Sequence, residues 1–429
     1  MTVLQSTLVF FLCTKFLSEQ ILSYLNFKKI KQNQFSVPRG VSDYMTPKEW
    51  QKCTNYSCDK IRFSYFETIF SFLLSIFVLF YLLPIFYLKW SFFMGHGIWE
   101  ASLLTSAFIL MLQQIDLPLD WYRQFKLEAK FDFNNQTLKL WITDKIKEFF
   151  LGVILLFTIM CLLHTLYAQL SLYAPKYWWA LACLALFVFQ LFLMVLWPRF
   201  VMPLFNTLTP LNDPGLRDQL NVLCDKTGFE MQEILVMDGS KRSSHSNAFF
   251  TGFGKFRKIV LFDTLIKQMS QNEIVSVVAH EVGHYKLGHI PKRLCLSFIF
   301  ALLFFWLIDQ ILVSSWFTRE LDIPDIFSGE IGPVLLTFIL FGGCITYWLS
   351  PLSNFLSRKH EFEADDYAVW ATGSSDHLSS ALKKLSVKNL SYPLPHPLVS
   401  FFYHSHPSLP ERELNINKAH ERFADGQTS

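Results

Sequence analysis

Long apolar runs alternate with polar stretches along the chain. Seven of these runs approach the ~20 helical residues that a bilayer core requires, which predicts seven membrane-spanning helices. The sixth and seventh runs are separated from the first five by a polar segment of about a hundred residues. The predicted spans are residues 3–25, 63–87, 98–112, 149–173, 178–197, 294–317 and 331–352.

The polar segment before the sixth span has a different periodicity. Residues 216–227 have helical spacing, and the runs 233–237, 248–253 and 258–262 have the pattern of strands. Asp238-Gly239 and residues 252–254 supply turns between those strands. Residues 272–289 then predict a helix, with Asn272 as its cap and Pro291 beyond its end. This segment is predicted to be a small α+β unit.

The organisation that follows has four parts. Residues 1–198 hold the first five spans and their loops, 199–293 form the α+β insert, and 294–352 hold the last two spans. Residues 353–429 form a polar C-terminal segment, with predicted helices at 358–370 and 376–387 and a proline-rich stretch at 393–410. The predicted fold class is therefore an all-α membrane protein of seven transmembrane helices with an attached α+β domain.

Composition supports a membrane protein and excludes several other classes. Hydrophobic residues make up 52% of the 429 residues and charged residues only 17%, against ~25% in ordinary soluble domains. The net charge of +3 is too small to predict a nucleic-acid surface. The eight cysteines are scattered, five of them inside apolar runs, and form neither a disulfide framework nor a four-cysteine metal pattern.

The placement of basic residues predicts an orientation in the membrane. Segments 26–62, 113–148, 198–293 and 353–429 hold 8, 6, 12 and 8 lysines and arginines, 34 of the 38 in the chain. Basic residues accumulate in short cytoplasmic loops. We therefore expect these segments, the α+β domain among them, in the cytosol and the N-terminus on the opposite side.

The sharpest chemical signal is His280-Glu281-Val282-Gly283-His284 within the predicted helix 272–289. A spacing of four places both imidazoles on one helical face, where they can bind one Zn²⁺, and the intervening glutamate can act as general base. This pattern is typical of metallopeptidases. His289 lies five residues past His284, so a continuous helix turns it away from the shared face. We predict it to be an end-of-helix residue rather than a ligand.

A catalytic zinc requires a third protein ligand. The downstream acidic residues are concentrated between Ser357 and Asp366, where Glu361 and Asp365 share one helical face and Glu363 is turned by about 200° from Glu361. We predict Glu361 as the ligand, because only this choice places a carboxylate one turn further on. Asp365 would there accept the free ring N–H of a ligating histidine.

These motifs resemble the type I CAAX prenyl proteases. The resemblance rests on residues 280–284, on Ser357-Arg358, Glu361 and Ala364-Asp365, on residues 239–248, and on the His404-Ser405-His406-Pro407 segment. It implies an integral-membrane zinc endopeptidase of the endoplasmic reticulum, built as a hollow barrel of seven helices and capped by a zinc domain. One Zn²⁺ per chain is expected, together with the lipid bilayer and farnesylated CAAX proteins as partners, and no nucleic acid.

The resemblance also implies roles for individual residues. It gives His280, His284 and Glu361 as ligands, Glu281 as general base and Asp365 as the residue behind a ligand. Asn247-Ala248 is the edge strand that holds extended substrate, and His406 is a substrate contact, for which we hypothesise an oxyanion donor. Arg412 is a separate hypothesis, because a guanidinium fork matches the new carboxylate of a short substrate.

The expected function is removal of the C-terminal tripeptide from a farnesylated CAAX protein, with a second upstream cut in some relatives. Two alternatives stay open. One is a quality-control protease of the same superfamily that cuts misfolded membrane proteins, and the other is a scaffold or translocation-clearing factor that depends little on hydrolysis. The endoplasmic reticulum membrane, and with it the inner nuclear membrane, is the expected location.

Overall fold

The computed structural model describes residues 1–93, 97–230, 233–252, 257–312 and 316–426. The N-terminal half is helical. Three π-helical segments continue its longer helices: Val78–Leu82 joins α2 to α3, Arg123–Glu128 follows α5, and Trp197–Val201 joins α7 to α8. The helices are α1 (Val3–Gln32), α2 (Pro47–Phe77), α3 (Leu83–Phe93), α4 (Ile98–Ile115), α5 (Leu117–Tyr122), α6 (Leu138–Tyr173), α7 (Trp178–Leu196) and α8 (Met202–Phe205).

The C-terminal half adds a small sheet and nine α-helices among the described residues, with short 3₁₀ helices at Gly239–Lys241 and Asp325–Phe327. Its elements are β1 (Leu208–Pro210), α9 (Pro214–Thr227), β2 (Glu233–Met237), β3 (Ala248–Thr251), β4 (Lys258–Phe262), α10 (Asp263–Gln268), α11 (Gln271–Lys286), α12 (His289–Leu312), α13 (Trp316–Glu320), α14 (Ile331–Thr372), α15 (Asp376–Lys388), α16 (Pro397–Tyr403) and α17 (Leu409–Ala424).

Seven helices of the described chain are long and apolar enough to cross a membrane, and each overlaps one predicted span. Most extend beyond the apolar run, because their polar ends are capped and continue the helix. The second begins at Pro47 behind a capping box of Thr46 and Glu49, well before residue 63. The described part of the sixth ends at Leu312, and Phe317, where the predicted span ends, lies in α13; residues 313–315 lie outside the described residues.

The seventh span differs most from its prediction. The sequence predicted a span at 331–352 and a separate helix at 358–370, but α14 is one helix of 42 residues. Pro351 lies inside it and leaves the carbonyl of Tyr347 without its usual backbone donor. The hydroxyl of Ser350 donates to that carbonyl at 2.7 Å, which replaces the missing bond. The helix therefore carries the acidic motif directly from the membrane-spanning region.

The sheet has the order β1-β2-β4-β3. β2 and β4 are parallel, and the two outer strands pair antiparallel to them. The predictions for β2 and β4 are confirmed at both ends, while β3 ends at Thr251 and residue 253 lies outside the described residues. β1 was missed, because three residues that end in a proline carry little strand signal. Among the described strands β3 pairs with β4 alone, so its other edge is free to pair.

The helix that carries the metal-binding motif begins and ends earlier than predicted. Ser270, not Asn272, caps α11, and its hydroxyl accepts from Glu273 N while the Glu273 side chain accepts from Ser270 N. At the other end Gly288 adopts a left-handed φ of 69°, which breaks the helix and lets α12 start in a new direction at His289. The predicted continuous helix to 289 was therefore wrong.

A polar cavity of about 680 Å³ lies among the membrane helices. Its wall contains five ion pairs: Lys15 pairs with Glu19, Arg123 with Glu67 and Asp120, and Lys145 with Asp120 and Glu148. Charged side chains are costly in lipid and belong where water reaches them. The helical assembly therefore surrounds a polar cavity, as expected for a hollow arrangement of spans.

Candidate metal centre

The position of α11 is set by its two flanking contacts. Near its start, buried Glu273 accepts hydrogen bonds from Ser380 at 2.6 Å and Lys384 at 2.7 Å, which fixes α11 to α15. On another face Gly283 allows α14 to approach closely: a Cβ there would lie 3.2 Å from Ala364 Cα and 3.0 Å from Tyr367 Cβ. This contact brings the acidic motif of α14 to the histidines of α11.

Three side chains converge between these helices. His280 Nε2 and His284 Nε2 are 3.2 Å apart, and Glu361 places one oxygen 3.2 Å from His284 Nε2 and the other 3.4 Å from His280 Nε2. Ligand atoms bound tetrahedrally to zinc at ~2.0–2.2 Å lie about 3.3–3.6 Å from one another. The spacing of the three donors therefore fits a zinc ion.

The electrostatics of the three donors favour a cation as well. Glu361 Oε2 is buried and accepts no well-directed hydrogen bond. Burial alone would lower the pKa of His280, but hydrogen bonds to Asp365 and Glu361 outweigh it and raise the pKa to about 9. The surrounding carboxylates thus stabilise positive charge at this point, and a metal ion satisfies the same requirement as the proton.

The outer nitrogen of His280 contacts a buried carboxylate. Asp365 Oδ1 lies 2.9 Å from His280 Nδ1, which is the contact that its predicted role requires. Arg412 in α17 donates to the same carboxylate, from Nε at 2.9 Å and from Nη2 at 2.6 Å, and its Nη1 lies 3.7 Å from Glu361. Most of the guanidinium is thus engaged within the protein. Binding of a substrate carboxylate by Arg412 stays a prediction, and these contacts weigh against it.

The outer nitrogen of His284 has a different partner, which sequence reasoning missed. Its Nδ1 lies 2.9 Å from His289 Nδ1, and His289 Nε2 lies 2.9 Å from Glu363 Oε2. The ring of His289 is buried and stacks on His360, with centroids 4.1 Å apart. The signal that could have revealed this arrangement is Gly288, a helix-terminating residue that removes His289 from the helical face assumed for it.

Two further predicted residues lie at the edge of this cluster. Burial raises the pKa of the Glu281 carboxyl, and the neighbouring imidazoles of His280, His284 and His406 offset part of that rise. His406 is well exposed, and its Nδ1 lies 2.8 Å from Glu361 Oε2. The structure therefore places the predicted general base and the predicted oxyanion hydrogen-bond donor beside the same three metal-binding side chains.

The predicted substrate strand lies next to α11. β3 packs against that helix, and Asn247 immediately precedes it. The Asn247 carbonyl accepts from Phe262 N at 3.1 Å, while its side-chain oxygen accepts from Ala248 N at 2.9 Å. Asn247 thus fixes the start of an edge strand beside the metal-binding helix, and its contact with substrate stays a prediction.

Fold and site together define a membrane metallopeptidase, and comparison with known proteins gives the family. Residues 26–207 match the family described as CAAX prenyl protease N-terminal, five membrane helices, and residues 210–420 match peptidase family M48. The chain belongs to the type I CAAX prenyl proteases within that peptidase family.

Relatives match over nearly their full length. The CAAX prenyl protease 1 of Saccharomyces cerevisiae is 32% identical, over 96% of this chain and 95% of its own. The homolog of Arabidopsis thaliana is 33% identical, over 95% and 96%. The crystal structure of S. mikatae Ste24p superposes with a TM-score of 0.87 at 33% identity, covering 97% of this chain and 99% of that one. The similarity therefore includes both the membrane helices and the metal-binding domain.

Proposed function

We propose that the protein is a zinc endopeptidase that removes the C-terminal tripeptide from farnesylated CAAX proteins. The observation that carries the proposal is the convergence of His280, His284 and Glu361 at the spacing of a tetrahedral zinc site, with Glu281 beside them. Relatives that match over their full length are named CAAX prenyl protease 1, which supports the substrate class. A second cut further upstream is part of the proposal as an additional activity.

His280, His284 and Glu361 would hold one zinc ion per chain. When bound, zinc supplies Lewis acidity, which makes water a better nucleophile near neutral pH and polarises a scissile carbonyl. Glu281 takes a proton from the attacking water and delivers it to the amine nitrogen of the leaving tripeptide. The raised pKa of Glu281 suits both transfers, because a base that is too weak to hold the proton cannot deliver it.

His406 is proposed to stabilise the negative charge that develops on the scissile oxygen. Its Nδ1 contacts Glu361 while most of its ring faces solvent, so the ring lies between the metal ligands and an approaching substrate. A donor held in advance at that point lowers the barrier without reorganisation. The free edge of β3 is proposed to pair with the extended substrate backbone, as in other peptide complexes that add a strand to a sheet.

The membrane part of the molecule supports a substrate that arrives attached to a lipid. The aqueous cavity lies among helices whose outer surfaces are apolar, so a peptide can remain hydrated while its prenyl chain stays in a hydrophobic phase. A ~15-carbon chain contributes ~0.8 kcal/mol per buried CH₂, which is enough to dominate substrate affinity. We propose the endoplasmic reticulum membrane as the location, with the N-terminus in the lumen and the metal centre facing the cytosol.

The test is cleavage of two synthetic peptides with the same CAAX sequence, one farnesylated and one not, by the full-length protein in detergent. We expect release of the tripeptide, its loss on chelation and its recovery on addition of zinc, with a preference for the farnesylated peptide of at least tenfold. A preference below about threefold favours the quality-control protease. Cellular function that survives Glu281→Gln favours the scaffold.

A further inference from the structure

The Nδ1 atoms of His280 and His284, which point away from the other metal ligands, contact different groups. The group that contacts His284 has no role in the proposed function. Asp365, itself fully buried, contacts His280. Behind His284 the structure places a second imidazole, His289, and behind that the carboxylate of Glu363.

The hydrogen-bond pattern of this chain is determined by its first member. His284 directs Nε2 towards the other two metal ligands, so that nitrogen must be free of a proton and Nδ1 must carry one. Nδ1 can then only donate, and the atom that faces it at 2.9 Å is His289 Nδ1. His289 in turn carries its proton on Nε2 and donates to Glu363 Oε2 at 2.9 Å. Each of the two imidazoles therefore has one N–H donor and one unprotonated nitrogen, and both nitrogens have a partner.

A second metal ion is the competing reading of the same residues. Ligand atoms of His289, His360 and Glu363 lie within 4.8 Å of one another. The rings of His289 and His360, however, are almost parallel, with 12° between their planes and 4.1 Å between centroids. Lone pairs lie in the ring planes, so those of two stacked rings do not converge on one point. Both nitrogens of His289 are also already engaged, which favours a hydrogen-bond chain over a metal site.

We propose that His289 is a positioning residue for the metal ligand His284: it accepts the Nδ1 proton of that ligand, passes the polarisation to Glu363, and so fixes the tautomer and the basicity of His284. The proposal rests on the metal centre of the proposed function but not on its substrate. Removal of an outer hydrogen-bond partner typically weakens metal affinity 10- to 100-fold. We expect an effect in that range from the loss of His289 alone.

Two substitutions separate the hydrogen bonds from packing. His289→Phe preserves a ring that stacks on His360 but can neither accept nor donate. His289→Gln loses the ring, yet its amide offers one acceptor to His284 and one donor to Glu363. The proposal predicts that Phe weakens zinc binding 10- to 100-fold and that Gln stays within about threefold of the original protein. A residue that acts only through packing gives the reverse order.

The measurement is competition for zinc between a chromophoric chelator and the full-length protein in detergent. The absorption spectrum of the Co²⁺-loaded protein serves as a second readout, because its d–d bands report the basicity and geometry of the ligands. We expect His289→Phe to shift these bands and His289→Gln to leave them nearly in place. His360→Phe is the matched control, since it keeps the stack without touching His284, and it should change neither readout.

Three results would overturn the inference. Equal zinc affinity in the original protein and His289→Phe removes the role assigned to His289. Greater loss with Gln than with Phe makes the residue a packing element. Two metal ions per chain in the original protein, falling to one in His360→Phe, assigns these residues to a second metal site. An original protein that binds no zinc would instead contradict the proposed function, so the two failures are distinguishable.

Discussion

The metal-binding domain and the membrane helices both bury apolar cores, but the membrane helices also surround a polar cavity whose wall carries charged pairs. Around α11 the interior is aliphatic and dry, with Leu220, Leu261 and Val278 fully buried. Within the helical assembly the enclosed surface carries paired charges, while large apolar side chains such as Leu73 and Ile154 face outwards. The domain therefore fixes its chemical groups by close packing, whereas the membrane part keeps charged groups at a cavity surface.

The largest effect on catalysis is expected from the general base at the metal centre. Glu281→Gln should lower kcat about 10³- to 10⁴-fold, because the amide cannot take or deliver a proton. Zinc content should stay at one ion per chain, since Glu281 is not among the three convergent donors. Steady-state cleavage of the farnesylated peptide, together with metal analysis, checks both. Residual activity within tenfold would remove Glu281 from the proton transfers.

Close packing in the domain gives the next effect. Gly283→Ala introduces a Cβ 3.0–3.2 Å from atoms of α14, so the two helices must separate. Overpacking of this kind destabilises by about 1–3 kcal/mol, and a shift of Glu361 from the histidines should weaken zinc affinity roughly 10-fold or more. Gly343→Ala, in α14, is the matched control, because no atom lies within 4 Å of its added Cβ. Equal zinc affinity in both variants would contradict the close contact as the cause.

The pH dependence of cleavage follows from the buried position of Glu281. Its pKa is raised above the ordinary 4.5 mainly by burial. The base must be deprotonated to act, so activity is lost as pH falls through this raised pKa, about tenfold per pH unit below it. The acid limb of log(kcat/KM) should therefore lie above pH 4.5 and disappear in Glu281→Gln. A limb that persists there would belong to another group, such as a protonated metal ligand.

Two glutamates, each paired with a lysine, allow the buried interior of the metal-binding domain to be compared with the polar cavity. The first is Glu273, in the domain. Burial alone would raise the pKa of Glu273, but hydrogen bonds from Lys384, Ser380 and Ser270 outweigh it and lower the pKa to about 2. Glu273→Gln should lower stability by about 1–3 kcal/mol at neutral pH. Because the folded-state pKa is lowered, this contribution is present above about pH 4.5 and is lost as pH falls towards 2. Thermal unfolding monitored at several pH values provides the measurement.

Glu148 is the second glutamate of the comparison and lines the polar cavity. Its substitution is expected to have the smallest effect on stability. Glu148 also pairs with a lysine, Lys145, at 2.9 Å, but its side chain is half exposed to the cavity. Ion pairs screened by water contribute about 0–1 kcal/mol. Glu148→Gln should therefore change the unfolding temperature much less than Glu273→Gln. An equal decrease in the unfolding temperature of both variants would mean that water screens the cavity ion pair no better than the buried one.

Sequence reasoning succeeded where periodicity and chemistry coincide. The apolar runs predicted the seven spans, the alternating pattern predicted β2 and β4, and helical spacing placed Glu361 and Asp365 on one face. It failed where one residue redirects the chain. Gly288 turns α12 away from α11 and carries His289 behind a ligand, which a continuous helix excludes.

Tertiary contacts decided the remaining differences. The hydroxyl of Ser350 allows α14 to pass through Pro351, so the third donor lies on a helix that continues from the membrane region. Arg412 donates to Asp365 from a helix that begins 44 residues after it in the chain, at Leu409. Neither partner has a periodic signature, because each contact depends on how separate elements pack.

The most direct test of the central claim is the position of the metal. Anomalous diffraction at the zinc edge from crystals of the zinc-loaded protein should show one peak within about 2.2 Å of His280 Nε2, His284 Nε2 and an oxygen of Glu361. A peak between His289, His360 and Glu363, or zinc bound without Glu361, would contradict the account.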